Sequence, residues 1–158
     1  MIISLVRIDD RLIHGQVATD WVRYTHCDRI IVINDLIAMD EIRKKLLLAI
    51  TPAGVKTSII TIGKAIEAYN NPKYKDLNAM FLLTCPQDIL SLIEGGVSIK
   101  SINIGGMSYK EGKKQITAAV SVSDDDISCF NELYKKGIEL EIRMLSTERK
   151  VNWMEVAN

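Results

Sequence analysis

The chain has 158 residues, 47% of them apolar and 6% aromatic, with 20 Lys and Arg balancing 20 Asp and Glu. That length suits one domain with a full core. A net charge of zero without a basic cluster argues against nucleic-acid binding, and apolar runs as short as residues 80–83 argue against a membrane span.

Residues 1–6 are apolar but lack the basic lead of a secretory signal, so a cytoplasmic location is expected. From there, short β-branched runs alternate with segments of helical spacing, the pattern of parallel strands joined by crossover helices. In chain order the sequence predicts strand 2–8, helix 16–24, strand 29–33, helix 39–50, strand 56–62, helix 64–69, strand 79–83 and helix 87–94. Strands 101–104 and 116–122, helix 124–136 and strand 139–144 complete the series. Several strands are apolar almost throughout, as strands covered on both faces should be. The expected fold is α/β: a single three-layer domain over residues 1–158, with a mainly parallel central sheet of about seven strands and helices on both faces.

Helix punctuation agrees with this alternation. Thr84 or Ser123 can cap a helix, and Asp124, Asp125 and Asp126 place negative charge at the positive end of the last long one. Gly137 would end that helix, as Gly95 and Gly96 end the one before. Cys27, Cys85 and Cys129 are odd in number, widely spaced and free of any C-x-x-C pair, which predicts reduced, mostly buried thiols.

Ligands of open α/β folds bind outside the carboxyl ends of the strands, which singles out residues 9–15, 34–39 and 105–112. The first holds most of the chemistry, in the run Arg7-Ile8-Asp9-Asp10-Arg11-Leu12-Ile13-His14-Gly15-Gln16-Val17. An unprotonated histidine is a nucleophile at neutral pH, and guanidinium groups match phosphate oxygens with paired donors. Gly15 gives backbone freedom after the imidazole, and free amides at Gly15 and Gln16 would add an anion site at a helix start. The combination points to phosphoryl transfer through His14, with Arg11 and Arg7 as the cations. Asp9 and Asp10 are assigned mainly to loop support, one of them orienting Arg11 or the His14 ring. The same residues also read as an ordinary loop histidine with Arg7 and Arg11 paired to Asp9 and Asp10; residue types alone leave both readings open.

The run of residues 7–17, followed by Trp21, resembles the active-site segment of IIB subunits in the mannose/fructose/sorbose family of the bacterial phosphoenolpyruvate-dependent sugar phosphotransferase system. Further matches follow in order: Asn34-Asp35 with Ala38, Pro52-Ala53-Gly54-Val55-Lys56, Thr84-Cys85-Pro86, and Asn103-Ile104-Gly105-Gly106-Met107. The resemblance implies a cytoplasmic phosphocarrier that associates peripherally with a membrane permease. It takes a phosphoryl group from a histidine of the IIA protein onto Nδ1 of His14. It then passes that group to a sugar entering through IIC and IID subunits, with Arg11, and with less support Arg7, stabilising the phosphate. The sequence departs from many relatives by reading Met144-Leu145-Ser146-Thr147-Glu148 where they carry a proline after the last strand. Sugar identity and self-association are open; a homo-oligomer is compatible with the chain.

Neighbouring residues have simpler expected roles. No metal or cofactor is expected: His26-Cys27 lacks a second ligand pair, and Gly106 to Gly112 with Lys113 lacks the spacing and hydroxyl of a nucleotide P-loop. His26 should end the first helix, and Trp21 should pack against the sheet. Ser108 and Tyr109 either border the His14 loop or belong to a flexible turn with Met107 inside, and Asp35 either positions that loop or starts a helix. Leu12 and Ile13 either centre a docking surface or pack inward. A phosphorylation-sensing regulatory protein without sugar transfer is the alternative function; a hydrolase ranks below it, since no G-x-S-x-G is present.

Overall fold

In the computed structural model, which describes residues 1–157, strands and helices alternate along most of the chain. The first half comprises β1 (Ile2–Asp9), α1 (Gly15–Thr25), β2 (Arg29–Ile33), α2 (Asp35–Ala38), α3 (Glu41–Ala49), β3 (Lys56–Ile60) and α4 (Ile62–Tyr69). A short 3-10 turn (Pro72–Tyr74) leads into β4 (Asn78–Leu83), α5 (Pro86–Glu94), β5 (Ser101–Gly106), β6 (Lys114–Gln115) and β7 (Ser121–Val122). The chain ends with α6 (Asp124–Lys135), β8 (Glu139–Ile142), β9 (Val151–Asn152) and α7 (Trp153–Val156).

Seven strands form one sheet in the order β3-β2-β4-β1-β5-β8-β9, parallel except for β9, which runs antiparallel to β8. From β1 the chain winds outward to β2 and β3, then returns to β4 and crosses β1 to β5 and β8. Right-handed crossovers in opposite directions put their helices on opposite faces. One apolar cluster accordingly joins α1, α2 and α3 to the sheet through Ala18, Trp21, Ile37 and Leu47. The other joins α4, α5, α6 and α7 through Ala65, Ile89, Phe130 and Trp153. β1 lies where the winding reverses, with β4 and β5 on either side, so the loop leaving it opens at a topological switch point.

The expected three-layer α/β fold is present, with local corrections. Residues 116–122 do not make a strand of the main sheet. Thr117 Oγ1 accepts the amides of Ala119 and Val120, and Ile116 N donates to Val120 O at 2.9 Å, so the chain turns back there. Only Ser121–Val122 is extended, in a two-stranded antiparallel ribbon with β6. The seventh strand of the sheet is instead β9, too short for alternation to reveal it. The predicted helix 39–50 is α3, which starts at Glu41 because Asp40 Oδ1 accepts the amides of Ile42 and Arg43; the short α2 before it was not expected. Thr84 caps nothing; its hydroxyl accepts from Asn34 Nδ2, and α5 begins at Pro86 after an extended Cys85.

Ser123 does cap α6, in a reciprocal pair with Asp126. Burial by itself would raise the Asp126 carboxyl, but the Ser123 amide, the Gln87 amide group and Lys113 outweigh it and hold that carboxyl below its ordinary range. A carboxyl lowered in the folded state adds stability above its unfolded pKa, and that stability is lost as pH falls through the folded value. Ser123→Ala should cost about 1 kcal/mol in chemical denaturation. The difference in melting temperature between wild type and Asp126→Asn should shrink as pH drops from neutral to about 2; a gap independent of pH would contradict this account.

Candidate functional site

The site grows from the last turn of β1, where side chains alternate across the sheet. Val6 and Ile8 enter the cluster under α5 and α6, whereas Arg7 and Asp9 point to the α1 side, with the Arg7 guanidinium 5.4 Å from the Trp21 ring centroid. Asp9 is fully buried and its two oxygens are shared among several donors. Oδ2 accepts from Arg7 Nη2 at 2.9 Å and from His14 Nε2 at 2.9 Å. Oδ1 accepts the Arg11 amide at 3.1 Å and lies 3.5 Å from Arg11 Nε. Asp9 is thus the residue that orients both the ring and the Arg11 turn.

The loop is folded to bring His14 back onto that carboxylate. Leu12 N donates to Asp9 O at 2.9 Å, and Leu12 takes a left-handed φ of 59°, a conformation that costs a branched side chain about 1–3 kcal/mol. Burial of Leu12 and Ile13 in the α1-side cluster holds it there. Both therefore pack inward and supply no docking centre. Large apolar groups exposed on the same strand-exit edge are instead Leu36, at 84%, and Met39, at 77%, in and just after α2.

His14 is the extended N-cap of α1, without a side-chain cap bond, and its side chain is 23% exposed. A carboxylate can only accept, so Nε2 carries the proton and the neutral ring keeps its lone pair on Nδ1. Gly15 follows with φ of 47°, exposed, and a Cβ added there would meet nothing within 4 Å. Gln16 is also exposed, and the first amide of α1 to return to the loop is Ala18 N, on His14 O. The amide groups of residues 15–17 are therefore available at the positive end of an 11-residue helix beside the ring. The Arg11 side chain is 48% exposed, with Nε 3.5 Å from the carboxylate that holds the ring.

Arg7 occupies a different place from the one its sequence position suggested. It is 2% exposed, its Nη1 donates to Asn103 Oδ1 at 2.6 Å and to Arg143 O at 3.1 Å, and it reaches His14 only through Asp9. Direct contact with a surface phosphate is thereby excluded for this rotamer. Burial pushes the Arg7 pKa down while Asp9 and Glu141 oppose the shift. Asp10 is confined to loop support: its oxygens accept Ser108 N at 2.7 Å and Ser108 Oγ at 2.9 Å, drawing the charge away from the ring.

The Gly105-Gly106 pair is a cradle and not a flexible hinge. A Cβ on Gly105 would fall inside the Arg7 guanidinium, and one on Gly106 would stand 3.1 Å from Asp9 Oδ1. Met107 is buried, as one sequence reading required, while Ser108 and exposed Tyr109 border an open hollow of about 350 Å³ beside Arg11. Asp35 supports neighbouring structure, accepting the Ile62 amide at 2.8 Å. Trp21 is buried and donates Nε1 to Met144 O at 2.9 Å, and His26 ends α1 in the left-handed conformation. In the segment after β8, Glu148 Oε2 accepts the amides of Met144 and Leu145, and Asp20 accepts Ser146 N at 2.7 Å.

Among the described residues, no group of three or more His, Cys, Asp or Glu side chains is placed to hold a metal ion. Cys27 and Cys129 are buried and Cys85 is partly so; burial pushes the Cys129 thiol up to about 12.

Comparison with known proteins agrees with this fold. Residues 3–158 match the family described as the sorbose subfamily IIB component of the phosphotransferase system. The chain is 45% identical over 156 residues to a fructose-specific EIIB component of Bacillus subtilis, covering 99% of this chain and 96% of that protein. It is 49% identical over 156 residues to the mannose-specific EIIAB component of Escherichia coli, covering 99% of this chain but only 48% of that longer protein. The crystal structure of the IIB domain of the Klebsiella pneumoniae sorbose permease superposes with a TM-score of 0.97 at 44% identity, covering 100% of this chain and 97% of that one. The chain therefore belongs to the sorbose subfamily of phosphotransferase-system IIB components.

Proposed function

We propose that the protein is a sugar-phosphotransferase carrier in which His14 Nδ1 is the phosphoryl way point between a phospho-IIA donor and a sugar handled by membrane IIC and IID subunits. The observation that carries this reading is the Asp9–His14 bond at 2.9 Å: it occupies Nε2 and leaves Nδ1 as the nucleophilic nitrogen of the neutral ring.

In the forward step the Nδ1 lone pair forms the new N–P bond as the donor's N–P bond breaks, and that electron pair returns to the donor imidazole. In the second step a sugar hydroxyl oxygen attacks phosphorus, the bond to Nδ1 breaks, and the hydroxyl proton leaves to a base on the sugar-binding side. Neither step needs a redox partner. Arg11 supplies exposed positive charge, and the free amides at Gly15 and Gln16 supply fixed donors. Arg7 serves one carboxylate further back, by fixing Asp9. Among the described residues no helix is long and apolar enough to cross a membrane, so contact with IIC and IID would be peripheral.

Incubation with phosphoenolpyruvate, the general phosphotransferase proteins and a IIA donor should place one acid-labile, base-stable phosphate on the chain. His14→Gln should take none, and retention of the label would remove His14 from the pathway. Arg11→Ala should fold normally and slow transfer on the order of a hundredfold; wild-type kinetics would dismiss its role. The docking face is proposed to include Leu36 and Met39, so Met39→Asp should raise the donor concentration needed for half-maximal rate without altering the single phosphorylation site. Formation of sugar phosphate with IIC and IID present distinguishes a transport carrier from a regulatory acceptor.

A further inference from the structure

Three parallel strands carry a polar side chain at one shared register. Arg7 on β1 pairs with Asn103 on β5, and Asn103 pairs with Glu141 on β8. All three are buried, as is Arg143, the residue that follows β8. The contacts form an unbroken chain. Arg143 Nε and Nη2 donate to Glu141 at 3.0 Å each, Asn103 Nδ2 donates to Glu141 Oε1 at 3.1 Å, and Arg7 Nη1 donates to Asn103 Oδ1 at 2.6 Å. Arg7 Nη2 then donates to the Asp9 oxygen that also holds His14. Arg143 O closes the row by accepting from both Arg7 and Asn103, and the Arg7 and Arg143 guanidinium groups lie 5.4 and 5.1 Å from the Trp21 ring.

Stability does not call for such a row. Taking charges from water costs several kcal/mol per ion, and well-packed apolar residues of similar volume commonly serve a fold as well or better. The row also demands glycine at position 105, since a Cβ there would coincide with the guanidinium of Arg7. What the row does accomplish is geometric: Arg7 has five donors in a rigid plane, and Asn103 and the Arg143 carbonyl fix the orientation of that plane. With the plane fixed, Nη2 leaves Asp9 Oδ2 one arrangement, facing His14 Nε2.

We propose that Arg7, Asn103, Glu141 and Arg143 are positioning residues, a buried chain seated on Gly105 that locks Asp9 and so holds His14 in its Nε2–H tautomer. The charged and titratable groups facing the imidazole and its carboxylate are Arg7 and Arg11 from the β1 segment, with Glu141 on β8 and Arg143 just after it behind them; Asp10 is turned to Ser108. The inference deepens the phosphocarrier reading and rests on it for its kinetic consequence, while its tautomer consequence can be read without any donor protein.

The test uses the full chain labelled with 15N-histidine, as wild type, Gly105→Ala and Glu141→Gln, each confirmed as folded by circular dichroism and cooperative thermal unfolding. Glu141→Gln alters a single atom group and keeps the test readable should Gly105→Ala not fold. Wild type should show His14 as one tautomer, protonated on Nε2. Either folded variant should show a mixture of Nδ1–H and Nε2–H forms, with initial phosphorylation by the IIA donor slowed on the order of tenfold and the final level still one phosphate per chain. A wild-type tautomer together with a wild-type rate in either folded variant would overturn the proposal. Wild type that shows the single tautomer yet accepts no phosphate would overturn the phosphocarrier reading and leave the positioning chain standing.

Discussion

One carboxylate oxygen, Asp9 Oδ2, accepts from a guanidinium and from an imidazole at the same distance of 2.9 Å, in a place solvent does not reach. An acceptor shared in this way cannot rotate toward one donor without losing the other, and a buried donor left unpaired costs about 1–3 kcal/mol. The ring of His14 is therefore tied to the interior of the sheet through a side chain that the sheet itself holds. The exposed parts of the loop, Arg11, Gly15 and Gln16, are then free to serve a ligand without also having to hold the ring.

This arrangement divides the two faces of the sheet. Under α4, α5, α6 and α7 the packing is mainly apolar, with Phe130 and Trp153 in contact at 4.5 Å between ring centroids. On the α1 side, apolar packing over β2 and β4 gives way at β1, β5 and β8 to the row of Arg7, Asn103, Glu141 and Arg143. Trp21 joins the two halves, one face of its ring environment holding cations and its Nε1 bound to Met144 O. The left-handed backbone at Leu12 is a further cost carried by the site and offset by the burial of its side chain.

Much of the fold was legible because parallel strands buried on both faces need continuous apolar runs, and β2 and β4 have them. Residues 116–122 misled for the same reason: they are β-branched and apolar, but the Thr117 hydroxyl captures two nearby amides and the chain turns. Leu12 and Ile13 could not be assigned from their hydrophobicity, since inward packing depends on a left-handed residue that no side-chain pattern announces. The positioning row did leave a trace, a polar residue between two apolar neighbours in each of three strands (Val6-Arg7-Ile8, Ile102-Asn103-Ile104 and Leu140-Glu141-Ile142), but only strand register shows that they meet.

The order of residues 7–17 by itself placed an imidazole, two guanidinium groups and the start of a helix within one short segment, because those groups are close along the chain. Tertiary structure alone decided that Arg7 lies beneath the site and not on it, that Asp9 and not Asp10 faces His14, and that the Arg7 guanidinium fills the space a side chain at Gly105 would take. Those outcomes depend on partners 96 and 136 residues away from Arg7, brought alongside by sheet pairing, and no local pattern encodes a contact across that distance.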